Sequence, residues 1–99
     1  MRKVAILGAT GSIGASTLDL VEAAPERFEV TAVTAASNVS ELAAIARRTR
    51  APLAVIADAA RLEELRDALA GTNIQAASGE AALAEAAVSA DLVIAAIVG

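Results

Sequence analysis

The 99-residue chain contains no cysteine and no histidine. Without cysteine it can build neither a disulfide framework nor a thiolate nucleophile. Without histidine it lacks the usual general base, and with both missing it lacks the ligands of an ordinary zinc site. Tryptophan and tyrosine are also absent, and Phe28 is the only aromatic residue. The formal net charge is −4. A nucleic-acid surface needs a basic stripe and usually stacking aromatics, so this composition argues against nucleic acid as a partner. Arg2-Lys3 precedes an apolar run of only four residues, Val4 to Leu7, too short for the apolar region of a signal peptide. The later run Leu92 to Val98 is far short of a membrane span. The expectation is a soluble, cytoplasmic domain with no membrane partner.

Apolar residues make up 57% of the chain, chiefly Ala, Val, Leu and Ile, which is enough for one domain with a real core. The chain is organised around Gly8-Ala9-Thr10-Gly11-Ser12-Ile13-Gly14. The apolar run Val4 to Leu7 comes before it. After it, Gly14, Thr17, Leu18 and Val21 recur at helical spacing. Strand, glycine turn and helix form the context in which a glycine motif becomes a phosphate-site hypothesis. Gly8 can take backbone angles closed to other residues. Gly11 lets the main chain approach a pyrophosphate, and Gly14 lets the helix pack close to the sheet. Thr10, Ser12 and Ile13 complete the loop and the helix start, where free N–H groups and a partial positive charge meet an anion. A tight strand–helix turn with no ligand is the plain alternative.

The rest of the chain alternates strand and helix. The first helix is expected over about 12–24, stopped by Pro25, and a second strand over about 29–34. Asn38 with Glu41 three residues later reads as a capping box for a second helix. Leu42, Ile45 and Ala46 form its buried face, and Arg47, Arg48 and Arg50 suit its carboxyl end. Further elements follow: a strand over about 53–57; a helix capped by Asp58 with Leu62, Leu65 and Leu69 as its stripe; a short strand over 74–77; a helix over about 79–88 capped by Ser78; and a last strand from Asp91 to about residue 97. The charges Arg61, Glu63, Glu64, Arg66 and Asp67 read as a solvated face.

This alternation predicts an α/β fold of Rossmann type: a doubly wound, mostly parallel sheet with helices on both faces and right-handed crossovers. Leu92 to Ile97 is apolar on both faces, so it reads as a central strand beside the first. Residues 74–77 are short and mixed, so they belong at an edge. The expected strand order is 4-3-2-1-5. The switch point then lies between strands one and five, with Thr10–Ile13 and Ala96–Gly99 on opposite walls of one crevice.

An NAD site usually carries an acid at the end of the second strand, to bind the ribose 2′-hydroxyl. This chain reads Thr34-Ala35-Ala36-Ser37-Asn38 there, with no carboxylate. Hydroxyl, amide and helix-start N–H groups can accept a 2′-phosphate that an acid would repel. The stretch therefore favours NADP(H) over NAD(H). Asn38 can cap its helix and serve this site together.

The motif 8–14 with Ser16-Thr17-Leu18-Asp19, Pro25-Glu26-Arg27-Phe28, Ala35 to Val39 and the closing Ala95-Ala96-Ile97-Val98-Gly99 resembles the start of the 1-deoxy-D-xylulose 5-phosphate reductoisomerases. The resemblance covers nearly the whole chain. It implies an NADPH-dependent oxidoreductase and isomerase of non-mevalonate isoprenoid biosynthesis. Such an enzyme rearranges its substrate and reduces the aldehyde to 2-C-methyl-D-erythritol 4-phosphate with magnesium or manganese. By motif match, Thr10, Gly11, Ser12 and Ile13 correspond to the pyrophosphate loop, and Ala36, Ser37 and Asn38 to the loop around the adenosine ribose and 2′-phosphate. The family often has glycine followed by a basic residue where this chain has Ala36-Ser37. The resemblance further implies that residues 1–99 are the N-terminal NADP-binding domain of a homodimeric parent. The metal-binding acids, the substrate-phosphate residues and the lid would lie beyond Gly99, which leaves no catalytic or metal-ligating residue in this chain and no activity by itself. Two other readings stand beside it: the NADP domain of an acyl-phosphate-linked semialdehyde dehydrogenase, which would need a nucleophilic cysteine downstream, and a non-catalytic NADP-sensing module.

Overall fold

The computed structural model describes residues 2–8, 12–24 and 26–95; the side chains of residues 12–17 and 95 lie outside that description. Strands β1 (Arg2–Leu7), β2 (Phe28–Ala35), β3 (Leu53–Ile56), β4 (Gln75–Ser78) and β5 (Leu92–Ala95) alternate with helices α1 (Ser12–Ala23), α2 (Val39–Thr49), α3 (Leu62–Ala68) and α4 (Glu80–Val88). All pairings are parallel, and the sheet order is β4-β3-β2-β1-β5, as the sequence predicts.

The chain steps in one direction from β1 to β4 and then crosses back over the sheet to β5. Right-handed connections require the returning helix to lie on the opposite face. The core divides accordingly. On one face Leu18 and Val21 of α1, Val39, Leu42, Ala43 and Ala46 of α2, and Leu65 with the following Leu69 at the end of α3 pack on Val4, Ile6, Val30, Val33, Ala54 and Ile56. On the other face α4 lies on Ala5, Ala32 and Val55 through Ala86, with Ala82 and Leu83 beside it. The doubly wound expectation is met, among the described residues, with three helices on one face and one on the other.

One irregularity in β2 decides which side chains face where. Val4 pairs with Val30, but Ala5 pairs with Ala32, so Thr31 is an extra residue. A bulge of this kind reverses the alternation of a strand. Phe28 and Val30 before it, and Val33 and Ala35 after it, thereby all serve the larger core. The Thr31 hydroxyl donates to the Val4 carbonyl at 3.3 Å and lies 3.2 Å from the Ser89 hydroxyl just past α4.

The fourth strand begins and ends one residue later than expected. Ser78 is its last residue, paired with Ile56, and does not cap α4. Gly79 occupies the cap position at φ 90° with no side-chain cap. A side chain would meet nothing within 4 Å there, so conformation rather than space favours glycine. Asp58 caps as expected, but what it caps is a 3₁₀ turn, Ala59–Arg61, that leads into α3; its carboxylate accepts from Ala60 N at 3.0 Å. The expectation of a central β5 is also corrected. Leu92 and Ile94 pack against the larger core, but β5 is the outermost strand beside β1 among the described residues, and Val93 is 40% exposed. Residues 96–99, the far wall of the expected crevice, lie outside the described residues.

Candidate dinucleotide site

The candidate site lies at the carboxyl ends of β1 and β2, which are neighbours in a parallel sheet. Their following loops therefore emerge about 5 Å apart. Gly8 follows β1 with φ 71°, a left-handed conformation that favours glycine. Its N–H donates to the Thr34 hydroxyl oxygen at 3.1 Å. Thr34 is 3% exposed and is the only buried polar residue among the described residues. Thr34 alternates with Val33 and Ala35 and so points to the α4 side of the sheet, away from the larger core. Thr34 is not among the site residues expected from the sequence; the structure engages it in holding the glycine turn. The available signal was a threonine flanked by Val33 and Ala35 at the apolar end of the strand.

Thr10 and Gly11 lie outside the described residues. Ser12, Ile13 and Gly14 are the first three residues of α1, so the helix begins four residues after the Gly8 turn. Leu18 and Val21 of the expected helical stripe are buried, at 1% and 8% exposure.

Ala36, Ser37 and Asn38 form the exposed β2–α2 loop. Asn38 Oδ1 accepts from Glu41 N at 3.1 Å, which is the Asn38 half of the expected capping box. A helix start leaves several N–H groups without intrahelical partners, and the Asn38 side chain satisfies one of them. The α2 amino end, with its partial positive charge, therefore faces the same end of the sheet as the glycine turn.

The arginines at the other end of α2 do more than complement its dipole. Arg47 Nη2 donates to the Ala68 carbonyl at 2.7 Å, which ties α2 to the end of α3. Arg48 bonds to Glu22 of α1, with Nη2 to Oε2 at 2.8 Å, and lies 3.5 Å from Asp19. The hydrogen bond to Glu22 and then its negative charge, reinforced by Asp19, raise the Arg48 pKa above its ordinary value. These contacts belong to the opposite end of the sheet from the candidate site. The expected solvated face of α3 is present, with Arg66 pairing Glu63 at 2.6 Å on the surface.

Among the described residues no group of three or more acidic, cysteine or histidine side chains could hold a metal, and no helix is long and apolar enough to cross a membrane.

The family model for 1-deoxy-D-xylulose 5-phosphate reductoisomerase matches residues 4–99. Enzymes of that name from Bradyrhizobium sp. and Rhodospirillum centenum are each 54% identical over the whole chain. The chain spans about a quarter of the length of these curated relatives. Among solved structures, the enzyme from Zymomonas mobilis in complex with NADPH superposes with a TM-score of 0.93 at 54% identity, over 99% of this chain and 26% of that one. A second, in complex with NADPH, fosmidomycin and magnesium, superposes at 0.90 with 35% identity over 100% of this chain and 25% of that one. These comparisons do not favour the semialdehyde dehydrogenase or sensor readings. A match that runs almost from end to end, with more than half of the positions shared and the same fold, means that the chain belongs to the 1-deoxy-D-xylulose 5-phosphate reductoisomerase family.

Proposed function

We propose that this chain is the NADPH-binding domain of a reductoisomerase that converts 1-deoxy-D-xylulose 5-phosphate to 2-C-methyl-D-erythritol 4-phosphate. The observation that carries the reading is the superposition of nearly the whole chain on an enzyme of that family in complex with NADPH. The residues present fit such a cofactor. A left-handed Gly8 turn pinned by Thr34 precedes α1 in the chain, and the β2–α2 loop at the same end of the sheet has small side chains, a capped helix start and no carboxylate of its own. In this reading Gly8, Thr10, Gly11, Ser12, Ile13 and Gly14 cradle the pyrophosphate by main-chain N–H groups and close packing. Ala36, Ser37 and Asn38 take the adenosine ribose and its 2′-phosphate. The cofactor supplies a hydride; this chain's part is to bind and orient it.

The divalent metal, the phosphorylated sugar and the homodimer belong to the remaining part of the parent. The magnesium in related structures supports the metal. A cysteine-free composition suits a cytoplasmic, reducing setting. The test is calorimetric titration of this chain with NADPH and NADH, beside Gly11→Val. NADPH should bind more tightly than NADH, and Gly11→Val should abolish binding while the circular dichroism spectrum is kept. Equal affinity for the two cofactors, or unchanged affinity in the variant, contradicts the assignment.

A further inference from the structure

Residues 36–38 offer a 2′-phosphate an amide, a hydroxyl and helix-start N–H groups but no cation. Most of the chain's eight basic residues are at the wrong end of the sheet. Arg2 and Lys3 open β1 and Arg27 precedes β2, while Arg47, Arg48 and Arg50 lie at the carboxyl end of α2. Arg66 lies in α3 and pairs with Glu63.

Arg61 differs in position. The ladder between β2 and β3 continues past both strands: Ala57 N donates to Ala35 O at 2.9 Å and Asp58 N to Ala36 O at 3.1 Å. The loop after β3 is thereby laid along the loop after β2. Asp58 then opens the 3₁₀ turn, and Arg61 N donates to Asp58 O at 3.0 Å. The Arg61 guanidinium is held near this junction by two long contacts, Nε to Asp58 Oδ2 and Nη1 to Glu64 Oε1, each at 3.5 Å. All three side chains are about half exposed, Arg61 at 47%. Exposed pairs with such geometry are weak. A guanidinium can meet a phosphate dianion with two parallel hydrogen bonds, a stronger arrangement than either of these pairs.

We propose that Arg61 supplies the positive charge that recognises the cofactor's 2′-phosphate, reaching it from the β3 side because the β2–α2 loop carries none. This rests on the NADPH reading and deepens it. The probes are 2′-phospho-ADP-ribose and ADP-ribose, which differ only in that phosphate, titrated into the full 99-residue chain. Arg61→Ala should weaken the 2′-phosphorylated ligand about tenfold and ADP-ribose by less than about twofold. Arg61→Lys should fall between, and Ser37→Arg added to Arg61→Ala should restore the preference. Equal weakening of both ligands, or no weakening of either, overturns the role of Arg61 while leaving the dinucleotide site standing. Binding of neither ligand by the unaltered chain overturns the NADPH reading and this proposal with it.

Discussion

Thr34 is the residue on which the geometry of the glycine turn rests. It is the one buried polar side chain among the described residues, and its oxygen accepts the Gly8 N–H. Valine has nearly the same shape but cannot accept that bond. Thr34→Val should therefore destabilise the fold by about 1–3 kcal/mol, the cost of a buried donor left unpaired, while Thr34→Ser recovers most of the loss in urea denaturation. NADPH affinity should fall with Thr34→Val beyond what the lost stability explains, because the turn is no longer fixed. Asn38 allows capping to be separated from phosphate recognition. Asn38→Ala should cost about 1 kcal/mol of stability. Asn38→Asp keeps the cap and adds a negative charge, so stability should be kept while NADPH, but not NADH, binds more weakly. Unchanged NADPH affinity in Asn38→Asp would place the α2 start away from the 2′-phosphate.

Arg50 closes α2 at φ 57°, ψ 32°, a left-handed conformation that costs a side-chain-bearing residue energy and costs glycine nothing. Arg50→Gly should raise stability by about 1 kcal/mol, read as a higher denaturation midpoint at unchanged slope; a lower midpoint would mean that the Arg50 side chain makes a compensating contact. The Arg48 pair couples α1 to α2. Its folded-state pKa is raised, so its contribution is fully present below the unfolded arginine value and disappears only as pH rises through the folded one. Stability should show no dependence on Arg48 titration at neutral pH, and the pair's small effect should shrink with added salt. The β2 bulge is visible in the sequence only as a phase slip: Phe28 and Val30 alternate, then Val33 and Ala35 alternate out of step. A single missed beat of this kind is indistinguishable from noise until the partner strand reveals the extra residue.

At the scale of the molecule, the two faces of the sheet are unequal. Three helices cover one side, and α4, seated on alanines, covers the other. β5 pairs with β1 on one side and presents its other edge with no strand beside it among the described residues. An unpaired edge with apolar side chains invites pairing with another chain. This 99-residue chain should therefore associate with rising concentration in sedimentation velocity, and Val93→Lys should return it toward monomer. A monomer at all concentrations would show that the edge is blunted in solution.

The α/β class and the strand order were legible in the amino-acid sequence before any contact was known. Each depends on local signals strong enough to survive without coordinates: alternating apolar segments, a glycine-rich turn between strand and helix, the Asn38–Glu41 spacing, and a short, mixed fourth strand that belongs at an edge. Tertiary structure decided the contacts that link segments far apart in the chain. Thr34 meets Gly8 across 26 positions, Arg48 meets Glu22 across the same separation, and Asp58 lies along Ala36. No periodicity encodes such pairings, because they depend on which strands become neighbours and in which register. Ser78 illustrates the same limit locally. It has the chemistry of a helix cap, yet pairing with Ile56 draws it into the sheet and leaves the cap position to Gly79.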